Sequence, residues 1–122
     1  MTPDELREHA LSKPGAWLDQ PWEGDLVAKV GEGDRGKIFA FLGEKSVGVK
    51  AGATREEADE WLLRYPENAS VMAYIGRSGW NTLHVGEAIP DDEIREAVDD
   101  SYALVVAKLP RKLRPDGWEL RA

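Results

Sequence analysis

Three apolar runs, LVAKV (26–30), KIFAFL (37–42) and SVGVKA (46–51), follow one another with only short links between them. That spacing constrains the fold more than any other feature of the chain. GDRG (33–36) and Gly43-Glu44-Lys45 are hairpin links, whereas joining parallel strands takes a crossover of a dozen residues or more, usually with a helix. The runs therefore read as neighbouring antiparallel strands. KIFAFL is apolar on both faces, which reads as a central strand of the sheet.

Helical signals frame this meander. Thr2-Pro3-Asp4-Glu5 has the form of a capping box with proline in the first turn. Leu6, Ala10 and Leu11 follow on one stripe, and Lys13-Pro14-Gly15 ends the helix. Ala16 to Asp19 then forms a short extended piece, broken by Pro21 and Gly24. Thr54-Arg55-Glu56-Glu57 repeats the capping pattern, with Ala58, Trp61, Leu62 and Tyr65 as the buried stripe and Pro66 as the stop. ASVMAYIG (69–76) reads as a strand or a single turn. In the strand after it, Trp80, Thr82 and His84 share one face, and Asn81, Leu83 and Val85 the other. Asn81 and Thr82 serve local hydrogen bonds. Three acids follow Pro90 at a helix start, where the macrodipole favours them. Ile94, Val98, Tyr102, Val105 and Leu109 then recur at helical spacing until Pro110. The expectation is one α+β domain over residues 1–110, with helices packed on one face of an antiparallel sheet, and a loosely attached, charged tail over 111–122.

Composition narrows the chemistry. The 122 residues fit a single domain, and 42% hydrophobic content is enough to close a core. The absence of cysteine removes disulfides, zinc-thiolate sites, iron–sulfur clusters and thiol nucleophiles together. The N-terminus has no apolar signal segment and no run is long enough to span a membrane, so the expected setting is soluble and cytoplasmic. Net charge is −7 and unevenly spread: residues 108–122 carry five bases and two acids, a net of +3, which leaves −10 on the rest. An acidic body repels phosphate backbones at long range, so nucleic-acid binding would need a local basic patch.

The two histidines, His9 and His84, lack partners at metal-ligand spacing and read as surface or packing residues. No serine stands in a nucleophile-elbow context. The acids of 56–60 and 91–100 include pairs four apart, such as Asp92 and Glu96, but acids at helix starts read more simply as solvated faces. GEGDRGK (31–37) lacks phosphate-loop order and is a hairpin. KLPRKLR (108–114) is the only basic cluster; with Trp118 nearby it could meet a nucleic acid, although its cations also suit a helix C-terminus. Of the five tryptophans, Trp61 belongs to a helix stripe and Trp80 is flanked by polar residues.

Several segments together resemble a known family. KPGA (13–16), KIFAFL (37–42), VGVK (47–50), GRSGWNTLHVGEAIPDDEI (76–94) and DDSYALVVAKLP (99–110) resemble the MmcQ/YjbR family of small bacterial proteins, over roughly residues 3 to 112. The Trp-x-Thr strand (Trp80, Thr82) and the Ser-Tyr-x-x-Val-x-x-x-Leu-Pro helix end (101–110) are the most specific parts. The resemblance implies a frataxin-like two-layer α+β sandwich and a DNA-binding label with a "double wing" arrangement. It implies no enzyme activity and no cofactor. In relatives a His-Leu-Asn-Lys-x-His-like stretch precedes the tryptophan; here it is Tyr74-Ile75-Gly76-Arg77-Ser78-Gly79, which keeps one cation and loses both histidines.

The expectation is a non-enzymatic binding module with no metal and no membrane contact. Nucleic-acid binding requires one contiguous basic face built from Lys37, Lys50, Arg77, Lys108, Arg111, Lys112 and Arg114, with Trp80 beside it. A protein-interaction or self-association role requires instead an exposed apolar patch, around Trp80 or Trp118.

Overall fold

The computed structural model describes residues 1–119 and opens as the sequence dictates. Helix α1 (Pro3–Leu11) starts from Thr2, whose side chain accepts from the Glu5 N–H while the Glu5 carboxylate returns to the Thr2 N–H. Six strands follow: β1 (Ala16–Trp22), β2 (Asp25–Val30), β3 (Lys37–Leu42), β4 (Ser46–Lys50), β5 (Ala69–Val71) and β6 (Trp80–His84). Helix α2 (Arg55–Arg64) lies between β4 and β5, and α3 (Asp91–Val106) follows β6. The sheet order is β1-β2-β3-β4-β6-β5, and every pairing is antiparallel. The α+β class and the central position of KIFAFL hold.

The helices cover one face. Leu6 and Ala10 of α1, Ile94, Val98, Tyr102, Val105 and Val106 of α3, and Phe39, Val47, Val49 and Leu83 of the sheet close a single core. In β6 the alternation is as expected: Asn81 and Leu83 are buried on the helix side, while Trp80, Thr82 and His84 are half-buried on the other.

Four local expectations need correcting. β1 does not stop at Asp19 but runs through Pro21 to Trp22. It is an edge strand whose register shifts between Asp19 and Trp22, so the missing proline N–H breaks no ladder bond. Glu57 caps α2 only in part: its N–H meets Thr54, but its carboxylate accepts from Ala53. The stripe of α2 is shallower than its pattern, since only Ala58 is fully buried. Residues 69–76 give a three-residue strand and then a loop, ending in a 3-10 turn at Gly76–Ser78.

The tail also differs. Residues 111–113 form a 3-10 turn after Pro110, and Leu113 and Trp118 pack against the core. The Arg114 guanidinium donates to the carbonyls of Leu109 (2.9 Å) and Ala107 (2.8 Å), closing off the end of α3. A segment expected to hang loosely is seated by two apolar side chains and one cap. Residues 120–122, with Arg121, lie outside the described part.

One irregularity shapes an end of the sheet. Against β2, Ala40 pairs with Ala28 but Ile38 pairs with Lys29, which leaves Phe39 as a bulge. Against β4, the pairing ends at Ala40–Val49. Beyond it the Ser101 hydroxyl of α3 stands between the strands: it accepts from the Lys50 N–H (2.9 Å) and donates to the Phe39 carbonyl (2.6 Å). A side chain from the helix replaces a ladder bond and holds the ends of β3 and β4 apart.

Candidate functional site

The start of β3, the end of β4 and the start of β6 lie at the same end of the sheet because the three strands are antiparallel neighbours. The C-terminal part of α3 crosses that end. Between them is a cleft of about 270 Å³, lined by Lys37, Ile38, Lys50, Trp80, Leu104, Val105, Lys108 and Leu109. Four of the eight residues expected at a ligand surface are thus gathered, from three strands and the turn that follows α3.

Lys50 is the most constrained of them. It is 7% exposed, and its ammonium donates to the Ser78 carbonyl at 2.6 Å. Burial, and then the charge of Lys108, hold its pKa below the ordinary lysine value. No carboxylate lines the cleft, and none of its three lysines forms a salt bridge among the described residues. In a chain of net charge −7, this is a local concentration of unneutralised positive charge. Trp80 meets Phe41 edge to face, ring centres 5.7 Å apart, and its indole N–H makes no hydrogen bond among the described residues.

The turn that anchors Lys50 is itself held in place. The Arg55 guanidinium donates to the carbonyls of Gly76 (2.7 Å) and Trp80 (3.1 Å) and to the Asn81 side chain, and it pairs with Asp59 at 2.8 Å. Asn81, fully buried, donates onward to the Ala58 carbonyl at 2.9 Å. Its bonds therefore tie the strand to α2 rather than serving its own neighbourhood. Gly79 sits at φ 99°, and a Cβ there would collide with the Gly52 carbonyl oxygen. Where the family resemblance implies a histidine, this chain has room for no side chain at all. Arg77 stands exposed on the turn, one residue from Ser78.

The remaining basic residues do not join the cleft. Lys112 and Arg114 line a separate hollow of about 650 Å³ with Trp17, Gly31 and Pro115, and Arg111 borders a shallow one beside Trp118. Arg114 is engaged as a helix cap and lies 5.7 Å from the Trp118 ring centre. The single contiguous basic face therefore divides in two: Lys37, Lys50 and Lys108 with Trp80, Arg77 near them, and the 111–114 group apart. The structural roles of Arg55 and Ser101 are not visible in the sequence, although Ser101 stands in the Ser-Tyr helix end that carries the family resemblance. Arg55 has the look of an ordinary residue of a helix first turn, and Ser101 that of a small residue on a helix.

Two other features fall outside the cleft. His9 Nε2 meets Asp99 at 2.8 Å and Lys13 meets the same oxygen at 3.0 Å, a tie between α1 and α3 that borders none of the cavities. Glu57, Glu60, Glu93, Glu96 and Asp100 line a cleft between α2 and α3 with Arg64 and Trp61. No three acidic or histidine side chains among the described residues are close enough together to hold a metal ion. The longest helix has 16 residues, and no described helix is long and apolar enough to cross a membrane.

The comparisons with known proteins agree with the motifs. The sequence profile of the YjbR family matches residues 11–104. The chain is 28% identical over 120 residues to the uncharacterized protein YjbR of Escherichia coli strain K12, covering 93% of this chain and 95% of the relative, and the O157:H7 counterpart aligns equally. Among solved structures, the Deinococcus radiodurans protein DR2400, described as a DUF419 domain, superposes with a TM-score of 0.81 at 21% identity, over 93% of this chain and 85% of that one. Strand order, the Trp80 strand, the Ser101 helix end and the profile match lead to one assignment: this chain belongs to the YjbR family.

Proposed function

We propose that this protein is a binding module that holds nucleic acid at the lysine cleft without transforming it. The observation that carries the reading is the cleft itself: three lysines line it beside Trp80, with no carboxylate among the lining residues. Removing Lys50 from water and placing it near Lys108 raises the electrostatic energy of the free protein, and a phosphate would relieve both costs. Arg77, exposed on the adjoining turn, adds a fourth cation along the path of a backbone. The acidic body keeps the affinity low and dependent on salt. Fluorescence anisotropy with labelled oligonucleotides at low salt tests this: wild type binds, and Lys37→Gln with Lys108→Gln weakens binding. Absence of wild-type binding at low salt overturns it.

A second reading rests on a different surface. The face of the sheet away from the helices carries a groove of about 690 Å³ lined by Trp22, Leu26, Phe41, Met72, Tyr74 and Ile75, among others. Tyr74 is fully exposed at φ 66°, a conformation uncommon for a side-chain-bearing residue. This is the apolar patch a protein-interaction or self-association role requires, displaced from Trp80 and Trp118 to Trp22 and Tyr74. Sedimentation of wild type against Tyr74→Asp distinguishes it: a concentration-dependent assembly abolished by the substitution supports this role.

A further inference from the structure

The lysine cleft is only half a phosphate site. Of its eight lining residues three are cationic, while Ile38, Leu104, Val105 and Leu109 form apolar walls and Trp80 an aromatic one. A ligand that offered only phosphates would make no use of the apolar side, where Ile38, Leu104 and Trp80 keep part of their surface exposed over the buried Val105 and Leu109. The outer surface of a duplex is such a ligand: its phosphates lie outside, its bases are stacked inside, and it is a broad convex rod facing a concave cleft of about 270 Å³. An unpaired nucleotide presents an anionic phosphate and an apolar ring face on one small unit, which is the pairing of chemistries the cleft offers.

We infer that the cleft takes an unpaired nucleotide, so that the protein prefers single-stranded nucleic acid over duplex, with a base against Trp80 and the phosphates on either side of it on Lys37, Lys50 and Lys108. This inference rests on the nucleic-acid reading above and narrows its ligand. Three features of the structure support it. Phe41 meets Trp80 edge to face and so holds the ring in place. The free indole N–H gives the same wall a hydrogen-bond donor. Ser101 bonds to both β3 and β4 where their direct pairing ends, so the end of the sheet that lines the cleft is tied to the core and not only to surface side chains. Stacking on an aromatic ring tolerates any base, so little sequence preference is expected.

The test compares labelled single-stranded oligothymidine and oligodeoxyadenosine with a blunt hairpin duplex of equal phosphate number, at one low salt concentration. The single strands are expected to bind at least about tenfold more tightly than the duplex, the scale of one base–aromatic stack. Trp80→Leu removes that preference and Trp80→Phe, which keeps an aromatic face, retains most of it; thermal melts establish that both variants fold. Should Trp80→Leu not fold, Trp80→Phe and Leu104→Lys, which fills an apolar wall with charge, carry the comparison. Equal binding of single strand and duplex, or a preference that survives Trp80→Leu, overturns the inference while the nucleic-acid reading stands. No binding of any probe by wild type removes that reading itself.

Discussion

Lys50 shows at the scale of one residue how a buried cation weakens the protein that contains it. Its ammonium is desolvated and faces Lys108, so the folded state holds that proton less tightly than the unfolded chain does. Between the lowered value and the ordinary lysine value the unfolded state binds more protons, and stability therefore rises with pH across that window. Below the window the cost is present in full. Lys50→Met, which drops the charge, is expected to remove the alkaline rise, read by chemical denaturation across that window, and to weaken oligonucleotide binding. Tyr102 gives the opposite case. Burial pushes its hydroxyl up to about 12, and the hydroxyl donates to the Pro14 carbonyl. Here the folded state holds the proton more tightly, so this contribution is complete below about 10, the ordinary tyrosine value, and is lost as pH rises to about 12. Chemical denaturation from pH 8 to 12 should show Tyr102→Phe about 1 kcal/mol less stable at the low end, with the gap closing above about pH 10.

At the scale of elements, Ser101 bears on the end of the sheet that lines the cleft, and the 111–118 segment on the stability of the core. Ser101→Ala leaves the Phe39 carbonyl and the Lys50 N–H without their partner in the core, which costs about 1–3 kcal/mol. If β3 and β4 then close onto each other, the cleft narrows and binding falls further than the loss of stability explains. Anisotropy measured well below the melting temperature separates the two effects. Deleting residues 111–122 removes Leu113 and Trp118 from the core and the Arg114 cap from α3. The expected loss is about 2–3 kcal/mol, the worth of one fully or two partly buried side chains, read by urea denaturation. These elements also show what the sequence displays and what it hides. The hairpins and the Ile94-Val98-Tyr102 stripe are legible because turn chemistry and periodicity are local. The bond from Ser101 to a strand 62 residues away is not, since a buried serine on a helix looks like any small residue. The seating of the tail rests on two isolated apolar residues in a charged stretch, which make no pattern. The meeting of Lys37, Lys50 and Lys108 follows only from the strand order.

At the scale of the whole molecule, the proposed reading asks a chain of net charge −7 to hold a polyanion. Its charges are sorted: five acids line the cleft between α2 and α3, while the lysine cleft has none. A ligand therefore meets net repulsion at long range and attraction only at contact, and screening by salt weakens both. Four cations, Lys37, Lys50, Lys108 and Arg77, are placed to meet phosphates, so the logarithm of the affinity for a single strand should fall with the logarithm of salt with a slope of about −3. Arg77→Ala should weaken binding about equally across sequences and bring that slope to about −2, because it removes one phosphate contact from an exposed turn and touches no base. The 111–122 deletion, by contrast, should leave the slope nearly unchanged, because Arg111, Lys112 and Arg114 face other hollows and Arg114 already caps a helix. A slope that flattens on deletion and not on Arg77→Ala would move the binding surface from the end of the sheet to the basic tail.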